Sequence, residues 1–173
     1  MVRRALYLGL ALLFLAGPAG GQEGSRPPVF VNASVDRHQV WVGQAVRWTF
    51  QVLRSVDLAS APRYQPPFTP GFVALSLPQR EITSEVEGVL YDGAEVGLLL
   101  FPQAAGSVTV GPASVALGRE AFGVEARLAH PRFFEMLFQD GETGVLAGPS
   151  FPIQVRPLPL AGRPAGFTGA VGD

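Results

Sequence analysis

The sequence predicts an all-β fold, an immunoglobulin-like β-sandwich, and three observations predict it. Val46, Trp48, Phe50 and Val52 alternate with Arg47, Thr49 and Gln51, a period of two that sets the first group on one face of a strand. About nine short apolar segments of this kind recur at turn-spaced intervals, punctuated by 21 Gly and 16 Pro. No helical period longer than two turns separates them, which argues against the strand–helix alternation of a parallel α/β sheet.

The elements follow in order. Val29, Val31, Ala33 and Val35 alternate with Asn32 and Ser34 and make a first strand. Val40 and Val42 make a short second one, which Gly43 separates from the strand over residues 45–53. Pro62, Pro66, Pro67 and Pro70 crowd residues 59–71 and forbid a central strand and a helix alike, so an ordered loop is expected there. Residues 72–77 resume as a strand. Over 81–87, Ile82, Ser84 and Val86 are expected to face in and the polar residues out. Asp92-Gly93 reads as a turn, with an apolar strand over 95–101 after it. Pro102 ends that strand, Gly106 turns the chain, and Val108 with Val110 begins another that Pro112 interrupts. Strands over 115–117, 122–128 and 151–155 close the set.

The chain of 173 residues, 47% hydrophobic and 16% charged, is enough for one domain of ordinary size. Its formal net charge of −1 makes neither a nucleic acid nor an anionic membrane surface an expected partner. With no cysteine, a disulfide framework, thiolate metal sites and a Cys nucleophile are excluded together, and stability must come from the core. Arg3 and Arg4 precede an apolar run over 5–16 and the small residues Ala19, Gly20 and Gly21. That is a signal peptide over 1–21, cleaved before Gln22, and its run is shorter than the roughly 20 residues that span a bilayer. The sandwich is expected over 22–157 and a Pro/Gly-rich linker over 158–173.

Chemistry is sparse. His38 and His130 are the only histidines, no nucleophile elbow accompanies either, and both read as solvated or capping groups, so no catalytic residue is expected. Glu81, Glu85 and Glu87 could suggest a metal site, but calcium wants six or more oxygens from a compact loop, and a solvated strand face is the expected reading. Asp140-Gly141-Glu142 is expected to be a turn. Asn32-Ala33-Ser34 fits the glycosylation sequon, which matters only in a eukaryotic secretory pathway. No Gly-rich phosphate loop opens a helix after a strand. No cofactor or metal is expected.

One segment differs. Phe133, Phe134, Met136, Leu137 and Phe138 crowd five large apolar side chains into six positions between Pro131 and Asp140-Gly141. A helical turn or a bulged edge could hold them. They would either plug one end of the sandwich or form an exposed patch that docks a protein partner. Some must face inward, and at least one of Phe133, Met136 and Phe138 is expected to be exposed.

Several stretches resemble the N-terminal domain of the BatD family, the aerotolerance or oxygen-tolerance proteins. Val35-Asp36-Arg37 with Val42-Gly43-Gln44 fits the family's first strands. Leu100-Phe101-Pro102, Gly106 and the run Val108-Thr109-Val110-Gly111-Pro112-Ala113 resemble its strand, proline, glycine turn, strand and Pro-Ala exit. Pro131-Arg132-Phe133-Phe134 with Leu137-Phe138 is similar to the aromatic insertion before its last strand. Val155-Arg156-Pro157-Leu158-Pro159, Arg163-Pro164 and Phe167-Thr168-Gly169-Ala170-Val171-Gly172 resemble the junction into its second domain. The resemblance implies a periplasmic or cell-envelope protein with tandem immunoglobulin-like domains and a C-terminal anchor. It also implies work beside von Willebrand factor A-domain membrane proteins and, indirectly, a MoxR-type ATPase. The second domain and anchor would lie beyond Asp173, so membrane attachment is not expected from these residues themselves. The expected role is a non-catalytic interaction module. The alternative is a secreted carbohydrate- or ligand-binding sandwich, for which Trp41 is the one good surface aromatic. A hydrolase is disfavoured by the shortage of His and the absence of Cys.

Overall fold

The computed structural model describes residues 26–159. The expected signal peptide and residues 160–173 of the expected linker lie outside them. In chain order come β1 (Val29–Val35), β2 (Gln39–Trp41), β3 (Val46–Arg54), β4 (Arg63–Gln65), β5 (Phe72–Ser76), β6 (Arg80–Val86), β7 (Val89–Pro102), β8 (Gly106–Val110) and β9 (Ser114–Gly118). A 3-10 turn (Arg119–Ala121), α1 (Val124–Ala129) and α2 (Pro131–Leu137) then precede β10 (Thr143–Ala147) and β11 (Phe151–Arg156).

One antiparallel layer runs β1-β3-β7-β5, with β6 also paired to β7. The other runs β2-β11-β8 and continues as β10-β9-β4. Pro112 and Pro149 stand in the facing segments 111–113 and 148–150, and neither has an N–H to give, so the ladder lapses there. The Gly148 N–H crosses the gap to the Ala113 carbonyl at 2.9 Å. β8 with β9, and β10 with β11, are therefore two bent strands of one layer. β2 leaves the first layer and runs parallel to β11. This order is the ABED-over-CFG arrangement of an immunoglobulin-like sandwich, with its first strand shared between the layers.

The alternation in β3 builds the core. Val46, Trp48 and Phe50 are fully buried and pair across to Leu100, Leu98 and Val96 of β7. They meet Val110, Val115, Leu117, Ile153 and Val155 from the second layer. The Trp48 and Phe50 rings stack with centroids 5.9 Å apart. Burying each such side chain stabilises the fold by roughly 1.5–3 kcal/mol over leaving it in water.

The structure departs from the expected elements in five places. Asp92-Gly93 is not a turn but lies inside β7, and the hairpin turns at Glu87-Gly88, whose φ angles of 47° and 85° make a type I′ turn. Gly93 answers a different need: a Cβ there would collide with the Val52 carbonyl of the neighbouring strand. The loop over 59–71 contains β4, a three-residue edge strand between Pro62 and Pro66 that, among the described residues, pairs only with β9. Residues 124–129 form α1 instead of a strand, and β10 was not expected at all. Finally, Ile82, Ser84 and Val86 point to the outer face. β5 pairs Ser76 with Leu98, whereas β6 pairs Arg80 with Glu95, so the chain around Leu77-Pro78-Gln79 carries one extra residue. A one-residue slip turns every following side chain to the other face. Ile82 and Ser84 thus join Leu53 and Tyr91, which are buried on the outer side near Phe30. Glu81 and Thr83 fall on the inner side.

Candidate functional site: the helical insertion between the last two strands

Residues 119–142 link β9 to β10 at one end of the sandwich. The hairpin turn at 87–88 and the loop over 55–62 lie at the same end. The sequence dictates the break between the helices. His130 precedes Pro131, and a residue before proline is pushed out of the helical region; its φ and ψ are −130° and 53°. Its N–H still reaches the Ala126 carbonyl at 3.2 Å and closes α1. Pro131 then opens α2 at a position whose N–H has no partner in a helix anyway.

On α2, Phe133, Phe134, Leu137 and Phe138 share one stripe at helical spacing and Met136 lies off it. Phe134 and Phe138 are buried and stack with centroids 6.1 Å apart, and Phe122 meets them edge-on at 4.8 and 6.0 Å. Phe133 and Leu137 are half-buried and pack against this core. Arg119 pins the far end. Its guanidinium lies 4.6 Å from the centre of the Phe138 ring, donates to the Phe138 and Gly141 carbonyls at 3.4 and 3.5 Å, and pairs with Glu142 at 3.1 Å.

The outer side of the insertion stays apolar. Met136 is 65% exposed, and on α1 Val124 and Leu128 are 61% and 75% exposed, four residues apart on one helix face. No residue of α1 is buried. Val124 and Leu128 form one wall of a shallow groove of about 560 Å³ whose other wall is Pro131, Phe134 and Phe138. Arg119, Arg127 and Glu135 edge it, and the Arg127 Nε is buried there with no hydrogen-bond partner among the described residues. An apolar trough beside an unbonded guanidinium N–H suits an apolar segment that carries a hydrogen-bond acceptor. Of the five residues singled out in the sequence, the fold thus places Phe134 and Phe138 inside, Phe133 and Leu137 partly inside and Met136 outside. Val124, Leu128 and Arg127 went unremarked in the sequence, although Val124 and Leu128 stand at the spacing of one helical turn.

The other sequence candidates are placed elsewhere. His38 lies against the Pro152 carbonyl at 3.2 Å and near the Phe151 ring, far along the chain from His130 between the helices. Glu81, Glu85 and Glu87 are exposed on or beside β6, and among the described residues no three His, Asp or Glu side chains gather closely enough to hold a metal ion. Trp41 is half-buried, with the Arg156 guanidinium 6.0 Å from its ring centre.

The chain matches the family model of the BatD DUF11 like domain over residues 33–125, just over half its length. It belongs to the BatD family. The matched span runs from within β1 to the second residue of α1 and includes the β8–β9 bend at Gly111-Pro112-Ala113. No curated protein and no solved structure matches the chain. BatD family proteins are envelope-associated, and among the described residues no helix is long and apolar enough to cross a membrane.

Proposed function

We propose that this BatD-family chain is an exported, non-catalytic protein-interaction module of an envelope complex linked to aerotolerance and stress, and that it docks its partner on the α1–α2 groove. The observation that carries the reading is the exposure of Val124 and Leu128 on the groove wall, with Met136 exposed on α2, in an insertion whose Phe122, Phe134 and Phe138 are buried. Loops at the ends of a sandwich are where this architecture does its recognition, and an exposed apolar cluster rimmed by charge is the usual mark of a protein contact. The family resemblance supports von Willebrand factor A-domain membrane proteins as the partners, with a MoxR-type ATPase acting through them.

The test uses the purified chain and the detergent-solubilised von Willebrand factor A-domain partner. Leu128→Asp and Met136→Asp change exposed side chains, so stability stays within about 1 kcal/mol. Each substitution weakens binding by about tenfold or more, as the loss of an apolar anchor does. Unchanged binding by both folded variants overturns the reading.

A further inference from the structure

The first layer ends in a strand whose backbone and apolar side chains both lie open. Among the described residues β5 pairs with β7 alone. At one end of that pair the Gln103 N–H reaches the Gly71 carbonyl, and at the other the Leu77 N–H reaches the Gly97 carbonyl, both at 2.9 Å. Residues bonded to a neighbour alternate along an antiparallel ladder, so Val73 and Leu75 bond to β7 as well. Phe72, Ala74 and Ser76 therefore turn their backbone groups to the free edge, where the Phe72 N–H is taken by the Thr69 carbonyl at 3.3 Å.

The side chains match. Val73 and Leu75 are each 56% exposed on the outer face, beside half-buried Phe101 and Leu99 of β7. Leu77 extends this apolar strip over Gly97, 3.1 Å from where a Cβ would stand. Ala74 and Ser76 are exposed on the inner face, so the second layer does not overhang the edge. Sheet edges are ordinarily guarded by charge. β6 carries Arg80, Glu81 and Glu85, β4 carries Arg63, and β1 exposes only Asn32 and Ser34. β5 carries no charge, and neither does any residue from 64 to 79. Arg80, the first charge after it, is paired with Glu95.

We propose that this edge joins two copies of the chain, β5 pairing antiparallel with β5 of the second copy about a two-fold axis through Ala74. Pro70 and Pro78 stand at equal distances before and after Ala74, and neither has an N–H to extend the ladder, so pairing is confined to residues 72–76. The axis sets Ala74 against its own copy, Ser76 against Phe72 and Val73 against Leu75. Donors meet acceptors and apolar side chains meet apolar ones, in an isologous contact. No like charges are brought together. Arg47, opposite Leu99 on the same face, lies two strands in from the edge, which keeps it roughly 24 Å from the Arg47 of the second copy. The paired surface is small, so the dimer is weak and reversible. β5 covers residues 98–102 of β7, away from the 87–88 turn and the α1–α2 groove, and the two sites stand or fall independently.

The test is analytical ultracentrifugation of the purified chain, with amide hydrogen exchange beside it. A monomer–dimer equilibrium is expected, and exchange at Ala74 and Ser76 slows as the concentration rises. Val73→Lys combined with Leu75→Lys changes exposed side chains, so the melting temperature in dilute solution holds, while the dimer weakens about tenfold or more. Ala74→Pro removes a donor that the fold itself does not use, and it has the same effect on the dimer. Leu128→Asp leaves the equilibrium unchanged. A chain still monomeric at about 1 mM, open-ended assembly in place of a dimer, or a dimer abolished by Leu128→Asp and not by the β5 variants overturns the proposal. A monomer whose capture of the A-domain partner is weakened by the β5 variants assigns the edge to that partner and overturns it as well.

Discussion

Glu95 is the centre of a polar ladder across the outer face of the first layer. Asn32 donates to Gln51 at 3.3 Å, Gln51 donates to Glu95 at 2.9 Å, and Arg80 donates to the same carboxylate from the opposite strand. The Arg80 hydrogen bond first, and the Gln51 hydrogen bond next, hold the Glu95 carboxyl below its ordinary 4.5. A carboxylate whose proton is lost more easily in the fold than in the unfolded chain stabilises the fold fully above the ordinary value and loses that contribution as the pH falls through the lowered one. Glu95→Gln should therefore melt below the wild type at pH 7, and the gap should close as the pH is lowered through the acidic range. A gap that stays constant with pH in thermal melts would sink this account. The alternation that placed Trp48 and Phe50 inside was legible in the sequence because β3 runs in unbroken register between β1 and β7. The face taken by Glu81 was not legible, since it depends on a single extra residue near Pro78 that only the pairing reveals.

At the scale of elements, two misreadings share a physical cause. Asp92-Gly93 reads in the sequence as the hairpin turn, and local preference favours it over Glu87-Gly88, because Asp tolerates a left-handed backbone better than Glu. Pairing decides otherwise. β3 holds β7 in one register from Val46–Leu100 to Arg54–Asp92, which keeps Asp92 extended and moves the turn to Glu87. Likewise Val124, Ala126 and Leu128 alternate with Glu125 and Arg127 as a strand would, but no edge lies beside them to pair with, and the segment closes its hydrogen bonds internally as a helix. The turn carries a testable cost, since Glu87 holds a φ of 47° that side chains other than Asn, Asp and Gly adopt poorly. Glu87→Asn creates the preferred Asn-Gly pair and should stabilise the domain by about 0.5–1 kcal/mol in denaturant unfolding. The lost ion pair with Arg26 subtracts little, because the Glu87 side chain is 73% exposed. A destabilised variant would mean that the ion pair outweighs the backbone strain.

For the whole molecule, the question is whether the helical insertion is an appendage or part of the sandwich. The sequence made the sandwich frame legible, since its strands announce themselves by alternation and by Gly and Pro between them. It left the insertion ambiguous between plug and docking surface, because a dense apolar run does not say which side chains find a neighbour. The fold assigns both roles, by face. Phe122, Phe134 and Phe138 belong to the same buried cluster as Trp48 and Leu117. The Ala59 N–H reaches the Ala121 carbonyl at 2.8 Å, and Leu58 bridges to Phe122, which ties the insertion to the loop after β3. Gly144 of β10 is buried against Leu137, where a Cβ would collide with the Leu137 side chain and carbonyl. These contacts couple the helices to both layers, so their loss should be felt by the entire domain. Phe134→Ala removes a buried ring from the centre of that junction and should cost about 3–5 kcal/mol. Because the insertion and the sandwich share one core, unfolding should remain a single cooperative transition, with fluorescence and far-UV circular dichroism coincident. An early, separate transition of the helices, or a loss below about 1 kcal/mol of the kind surface changes give, would show that the insertion folds independently of the sandwich. In that case the exposed face of α1 and α2 would not be held in a fixed position for a partner.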